Sequence, residues 1–117
     1  MPDHPASSLI SSDRVSGTPV FGADRRQVGS IDRLMIEKAT GRIVYAIMSF
    51  GGVLGIGRDE YPLPWTALRF DPTLGGYATD LTEERLRSAP PAQADWVADR
   101  RWEEETHSHF GLPFYWI

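Results

Sequence analysis

Three stretches carry residue types that could do chemistry. The first is Gly52-Val53-Leu54-Gly55-Ile56-Gly57-Arg58-Asp59. Phosphate-binding loops use such glycine spacing to bring backbone N–H groups around a phosphate, then a lysine and a Ser/Thr hydroxyl that holds Mg²⁺. Here Arg58 and Asp59 stand in those last two places, and no βαβ pattern surrounds them. What remains is an anion contact by Gly55, Gly57 and Arg58, with arginine able to bind in a bidentate manner. A small anion- or metal-binding protein built on this loop is one alternative. The same spacing equally suits a hairpin loop that needs positive φ.

The second stretch holds Glu103, His107 and His109. Glu103 lies one helical turn before His107, so the two can meet on one face. A metal site needs three or four converging ligands, and histidines two apart diverge on a helix. A histidine near a helix C-terminus also suits the dipole without any ligand. We therefore assign no metal and no cofactor. The run Glu103-Glu104-Glu105 points in three directions on a helix; it reads as a solvated face, not as paired acid–base carboxyls across a cleft. No serine has a nucleophile elbow, and there is no cysteine. The expectation is no catalytic residue and no enzymatic activity.

The third feature is aromatic. Trp96, Trp102, Phe110, Phe114, Tyr115 and Trp116 crowd the last quarter of the chain. Tyr and Trp are enriched at protein interfaces and their hot spots. A C-terminus so apolar should be docked on something. Either it covers its own domain or it covers a partner, and a swapped dimer would satisfy both.

The elements that must position these residues are mostly strands. Thr18 to Phe21 is short and extended, and a polar hairpin loop follows at residues 22–27. Residues 28–37 form a strand in which Ile31 and Leu34 reach one face only if a β-bulge lies near Asp32-Arg33. Gly41 ends a three-residue turn that needs positive φ. Residues 43–50, Ile-Val-Tyr-Ala-Ile-Met-Ser-Phe, are apolar at nearly every position. A strand wet on one face would alternate, so this one should be covered on both sides. Residues 61–70 read as a strand that Pro62 and Pro64 confine to an edge, and residues 77–81 as the last strand. Thr82 looks like the N-cap of a short helix running through Leu86, with Glu83 and Glu84 in its first turn. Residues 94–108 read as a second helix whose stripe of Trp102, Thr106 and Phe110 is spoiled by Asp99 and Glu103.

The chain has 117 residues, enough for one domain with its own core. Its 12 basic and 16 acidic residues give a net charge of −4. No basic run exceeds two residues, which argues against direct nucleic-acid binding. No window approaches the roughly 20 apolar residues of a membrane helix, and the first dozen residues read as a flexible tail without a secretory pattern. The expected location is the cytoplasm, without membrane insertion.

Several segments together resemble the PRC-barrel domain family. They are Gly17 to Phe21, Val28 to Ile36, Gly41 to Gly52, Pro62 to Leu68 and Tyr77 to Leu86, in that order, within about residues 12–90. The resemblance implies a mainly β fold. It is a small barrel with a short helix after the last strand, here followed by a C-terminal helix and an aromatic extended tail (α+β in some schemes). It also implies an assembly role without catalytic residues. The family includes the cytoplasmic part of the photosynthetic reaction-centre H subunit, and a related barrel occurs in a bacterial ribosome-maturation factor. This chain lacks the membrane helix of the first and the preceding barrel of the second, and resembles the stand-alone bacterial versions.

The reading is thus a flexible tail at 1–12, a PRC-type barrel at 13–90, and a C-terminal helix and tail at 91–117. The function expected is a non-catalytic interaction module. It self-associates as a homodimer or higher oligomer through Tyr45, Ile47, Trp96, Trp102, Phe114 and Trp116, with a further protein partner unidentified. A ribosome-maturation-type factor that binds a protein partner is the other alternative.

Overall fold

The computed structural model describes residues 8–50, 60–90, 92 and 94–116. A short helix α1 (Ser12–Val15) opens this part. Strands β1 (Pro19–Phe21), β2 (Gln27–Ile36), β3 (Ile43–Phe50), β4 (Tyr61–Pro64), β5 (Arg69–Asp71) and β6 (Gly76–Ala78) follow. Helices α2 (Glu83–Arg87) and α3 (Arg100–Phe110) complete it, with 3-10 turns at Trp65–Ala67 and Trp96–Ala98. α1 follows Ser11, has Asp13 in its first turn, and buries Val15 in the core.

The strands form one mixed sheet in the order β4-β3-β2-β1-β6-β5. All neighbours are antiparallel except β1 and β6, which are parallel. The register of β2 against β3 shifts between Ile31 and Arg33, which is the bulge that the spacing of Ile31 and Leu34 requires. Both residues belong to the same core cluster.

The expected single strand at 61–70 is two strands. Pro62 and Pro64 have no N–H to donate, so β4 is short and lies at the sheet's edge, and the chain then winds through Trp65–Ala67 before β5. β4 and β5 are the two ends of the hydrogen-bonded ladder and do not pair with each other among the described residues. Among the described residues the barrel is therefore a curled sheet, not a ring closed by hydrogen bonds. Chain geometry enforces the curl. In a flat sheet, spacings of about 4.8 Å would set β4 and β5 about 24 Å apart. The chain from Pro64 to Arg69 reaches about 18 Å even when fully extended, and part of it is coiled in the 3-10 turn.

Inside the curl lie Val20, Val28, Ile31, Ala46, Met48, Leu63 and Tyr77, closed over by Leu86 of α2 and Phe110 of α3. The Thr82 hydroxyl caps α2 by accepting from the Arg85 N–H at 3.1 Å. A second cluster, Tyr45, Ile47, Trp96 and Trp102, lies on the other face of β3. That strand is covered on both sides, as its composition demands.

Two glycines separate space from conformation. A Cβ on Gly29 would lie 2.0 Å from the Ser49 carbonyl oxygen on β3, whereas Gly41 has open space and φ of +76°. Gly29→Ala should cost about 3 kcal/mol, since the β2–β3 ladder must part. Gly41→Ala should cost about 1 kcal/mol. Urea unfolding of the two variants measures this, and a Gly29→Ala cost equal to or below that of Gly41→Ala would contradict the packing described.

Candidate functional site

The segment after α2 seals the outer face of β3, and local signals place it there. The expected helix at 94–108 is broken by Asp99. Its side chain accepts from the Trp102 N–H at 3.0 Å and starts α3, while Trp96 sits in the preceding 3-10 turn. At the far end Gly111 is left-handed, with φ 69°. Its N–H donates to the Ser108 carbonyl, and the Leu112 N–H donates to the His107 carbonyl at 3.0 Å. This is the Schellman arrangement that ends a helix and reverses the chain. The reversal carries Pro113 to Trp116 back along α3.

Aromatic edges make the seal. Tyr45 meets Trp96 edge-on at 5.5 Å, Trp96 meets Trp102 at 5.1 Å, and Tyr45 meets Tyr115 at 5.7 Å. Phe114 stacks on Trp116 at 4.7 Å, and both lie against the His107 ring. The Arg100 guanidinium lies 3.8 Å from the centre of the Trp116 ring, a cation–π contact. The Trp96 indole N–H donates to Glu60 at 3.3 Å, and Glu60 pairs with Arg33 of β2 at 2.6 Å.

Within this apolar shell sits a polar network. Tyr45, Glu103 and His107 are only 1%, 4% and 2% exposed. The Tyr45 hydroxyl is 2.8 Å from Glu103 Oε1 and 2.9 Å from His107 Nε2. Tyr115 donates to the same Glu103 oxygen at 2.7 Å. His107 Nδ1 lies 2.9 Å from the Pro113 carbonyl, so that nitrogen carries a hydrogen. Burial, aided by the Glu103 carboxylate, raises the Tyr45 phenol well above its ordinary range and pushes Tyr115 up to about 12. Both stay protonated donors. Burial pulls the His107 imidazole down, against the upward pull of the Pro113 carbonyl and of Glu103.

Four of the six expected interface residues, Tyr45, Ile47, Trp96 and Trp102, form one buried cluster within a single chain. Phe114 and Trp116 join its border through His107. Gly55, Gly57 and Arg58 lie outside the described residues. His107 and His109 do diverge: His109 Nε2 contacts the Arg85 carbonyl at 2.9 Å. Among the described residues no group of three His, Cys, Asp or Glu could hold a metal ion. Glu103 is not part of a solvated face, and His107 is not a solvated helix end. A groove of about 410 Å³ runs beside them, lined by Arg42, Val44, Trp65, His107, Phe114 and Tyr115. Its two basic side chains are engaged, Arg42 with the Tyr115 carbonyl at 2.9 Å and His107 as above.

A model of the PRC-barrel domain matches residues 8–86. The chain belongs to the PRC-barrel family. The match ends inside α2, so the sheet and its first capping helix belong to the family pattern, and the sealing segment lies beyond it. No curated protein matches the chain at a significant level. No described helix of this PRC-barrel protein is long and apolar enough to cross a membrane.

Thr106 lies on the sealed face of α3. Its hydroxyl is fully buried and has no hydrogen-bond partner among the described residues. An unpaired buried hydroxyl costs about 1–3 kcal/mol. Thr106→Val keeps the shape and removes that cost, so we expect stability to rise by about 1 kcal/mol in urea unfolding. A loss of 1 kcal/mol or more would show that the hydroxyl is bonded in solution.

Proposed function

We propose that the chain is a non-catalytic assembly module of the PRC-barrel type that associates with itself. The observation that supports this most is the use made of its polar groups. Tyr45, Glu103, His107 and Tyr115 bind one another and so hold the C-terminal segment on β3. A general base or nucleophile must instead be aimed at a substrate. What the chain offers to others is surface.

The sealing segment also supplies a route to a dimer. The cluster of Tyr45, Ile47, Trp96 and Trp102 joins β3 to a segment connected through residues 88–95, which include Pro90 and Pro91. The same contacts made between two copies would exchange residues 94–116 and need no new interface. A barrel closed more fully than the described ladder, and a site within the cytoplasm, belong to this same reading.

Light scattering over a dilution series tests the proposal. A dimer that persists on dilution is expected, and a chain lacking residues 111–117 should lose that association or its fold. A monomer at every concentration, with the truncated chain unchanged in mass and stability, would contradict it.

A further inference from the structure

Among the described residues the network on the outer face of β3 contains four hydrogen-bond contacts: Tyr45 with Glu103, Tyr45 with His107, Tyr115 with Glu103, and His107 with the Pro113 carbonyl. Each contact needs a hydrogen. A neutral imidazole brings one, each tyrosine hydroxyl brings one, and an ionised carboxylate brings none. Three hydrogens serve four contacts. With any tautomer of neutral His107 and an ionised Glu103, two lone pairs face each other across 2.7–2.9 Å in a buried site. One added proton removes the conflict. Either His107 donates to Tyr45 and Tyr45 to Glu103, or Glu103 donates to Tyr45 and Tyr45 to His107.

We infer that Tyr45, Glu103, His107 and Tyr115 form a proton-binding site, and that folding of the C-terminal segment onto β3 takes up one proton. The proton belongs to the group, since Tyr45 touches both ends. The charges around it come from every side. Arg100 of α3 has its Nε 3.7 Å from the outer oxygen of Glu103. Arg42, just before β3, donates to the Tyr115 carbonyl, and Glu37, just after β2, acts on the Tyr115 hydroxyl. Glu60, just before β4, accepts from the Trp96 indole N–H at 3.3 Å. None of these makes one of the four contacts. Burial by itself disfavours a lone imidazolium at His107, and the relay through Tyr45 is what offsets it.

The direction of the pH effect follows. In the unfolded chain the corresponding proton binds an ordinary imidazole with a pKa of about 6.5. The folded site holds it to higher pH. Its contribution is complete below about 6.5 and is lost as pH rises toward the folded value, with the unfolding equilibrium constant growing up to about tenfold per pH unit.

Urea unfolding between pH 6.5 and 8.5 tests this in the full chain and in three variants. In Glu103→Gln the side-chain amide supplies the missing hydrogens, donating to both tyrosine oxygens while Tyr45 donates to His107. Tyr115→Phe removes one contact and one hydrogen together and stays one proton short. Tyr45→Phe leaves two contacts with a hydrogen each. We expect the wild-type unfolding constant to rise about tenfold or more over this range. Tyr115→Phe should keep that rise, while Glu103→Gln and Tyr45→Phe should lose it. Should Glu103→Gln fail to fold, Tyr45→Phe decides. A wild-type constant that is level or falls with pH, or a Tyr45→Phe chain that follows the wild type, would overturn the inference.

Discussion

β3 has no face that can be left in water. Ala46 and Met48 point into the curled sheet, Tyr45 and Ile47 point out of it, and all four are buried. β2 and β4 pair with its two edges. Once the strand is this apolar, the sheet must curl to enclose one side, and something else must cover the other. The 3-10 turn between β4 and β5 helps to bring about the first. The segment from Trp96 to Trp116 does the second, and the start of α3 at Asp99 and the reversal at Gly111 serve that cover.

Magnitudes divide the work between rings and polar groups. A buried aromatic side chain removes about 150–250 Å² from water. At about 25 cal/mol per Å² that is about 4–6 kcal/mol of gross gain per ring. A hydrogen bond nets about 1 kcal/mol, while a buried polar atom left unpaired costs about 1–3 kcal/mol. The rings therefore hold the segment down, and the network decides how it lies. A displacement of α3 along β3 would strand Glu103 and His107 in an apolar setting, so the polar groups act as a register.

The strands were legible because their signals are local. The unbroken apolar run of β3, the odd spacing of Ile31 and Leu34, the prolines of β4 and the Thr82 cap each carry their own physical reason. The C-terminal site was only half legible. The aromatic content of residues 96–116 shows that they dock, but Glu103 in the middle of the apolar stripe reads as a flaw. Its meaning depends on Tyr45, 58 positions away, and no local pattern announces that partner. Asp99 was a readable signal: an acid three residues before Trp102 is an N-cap, and it divides what otherwise looks like one helix. The 3-10 turn at Trp65–Ala67 follows from Pro64 and from the need to join the two ends of a curled sheet, which is a property of the topology.

The central claim is that sheet and sealing segment form one cooperative unit, with β3 protected from both sides. Amide hydrogen exchange reads this directly, because units that open together share one opening free energy. We predict that the amides of Tyr45 and Ile47 in β3 and those of Thr106 and His107 in α3 exchange with the same opening free energy, equal to that of global unfolding. Amides of α3 exchanging at a much lower free energy, while β3 keeps full protection, would show the segment to be an accessory cover and would contradict the account.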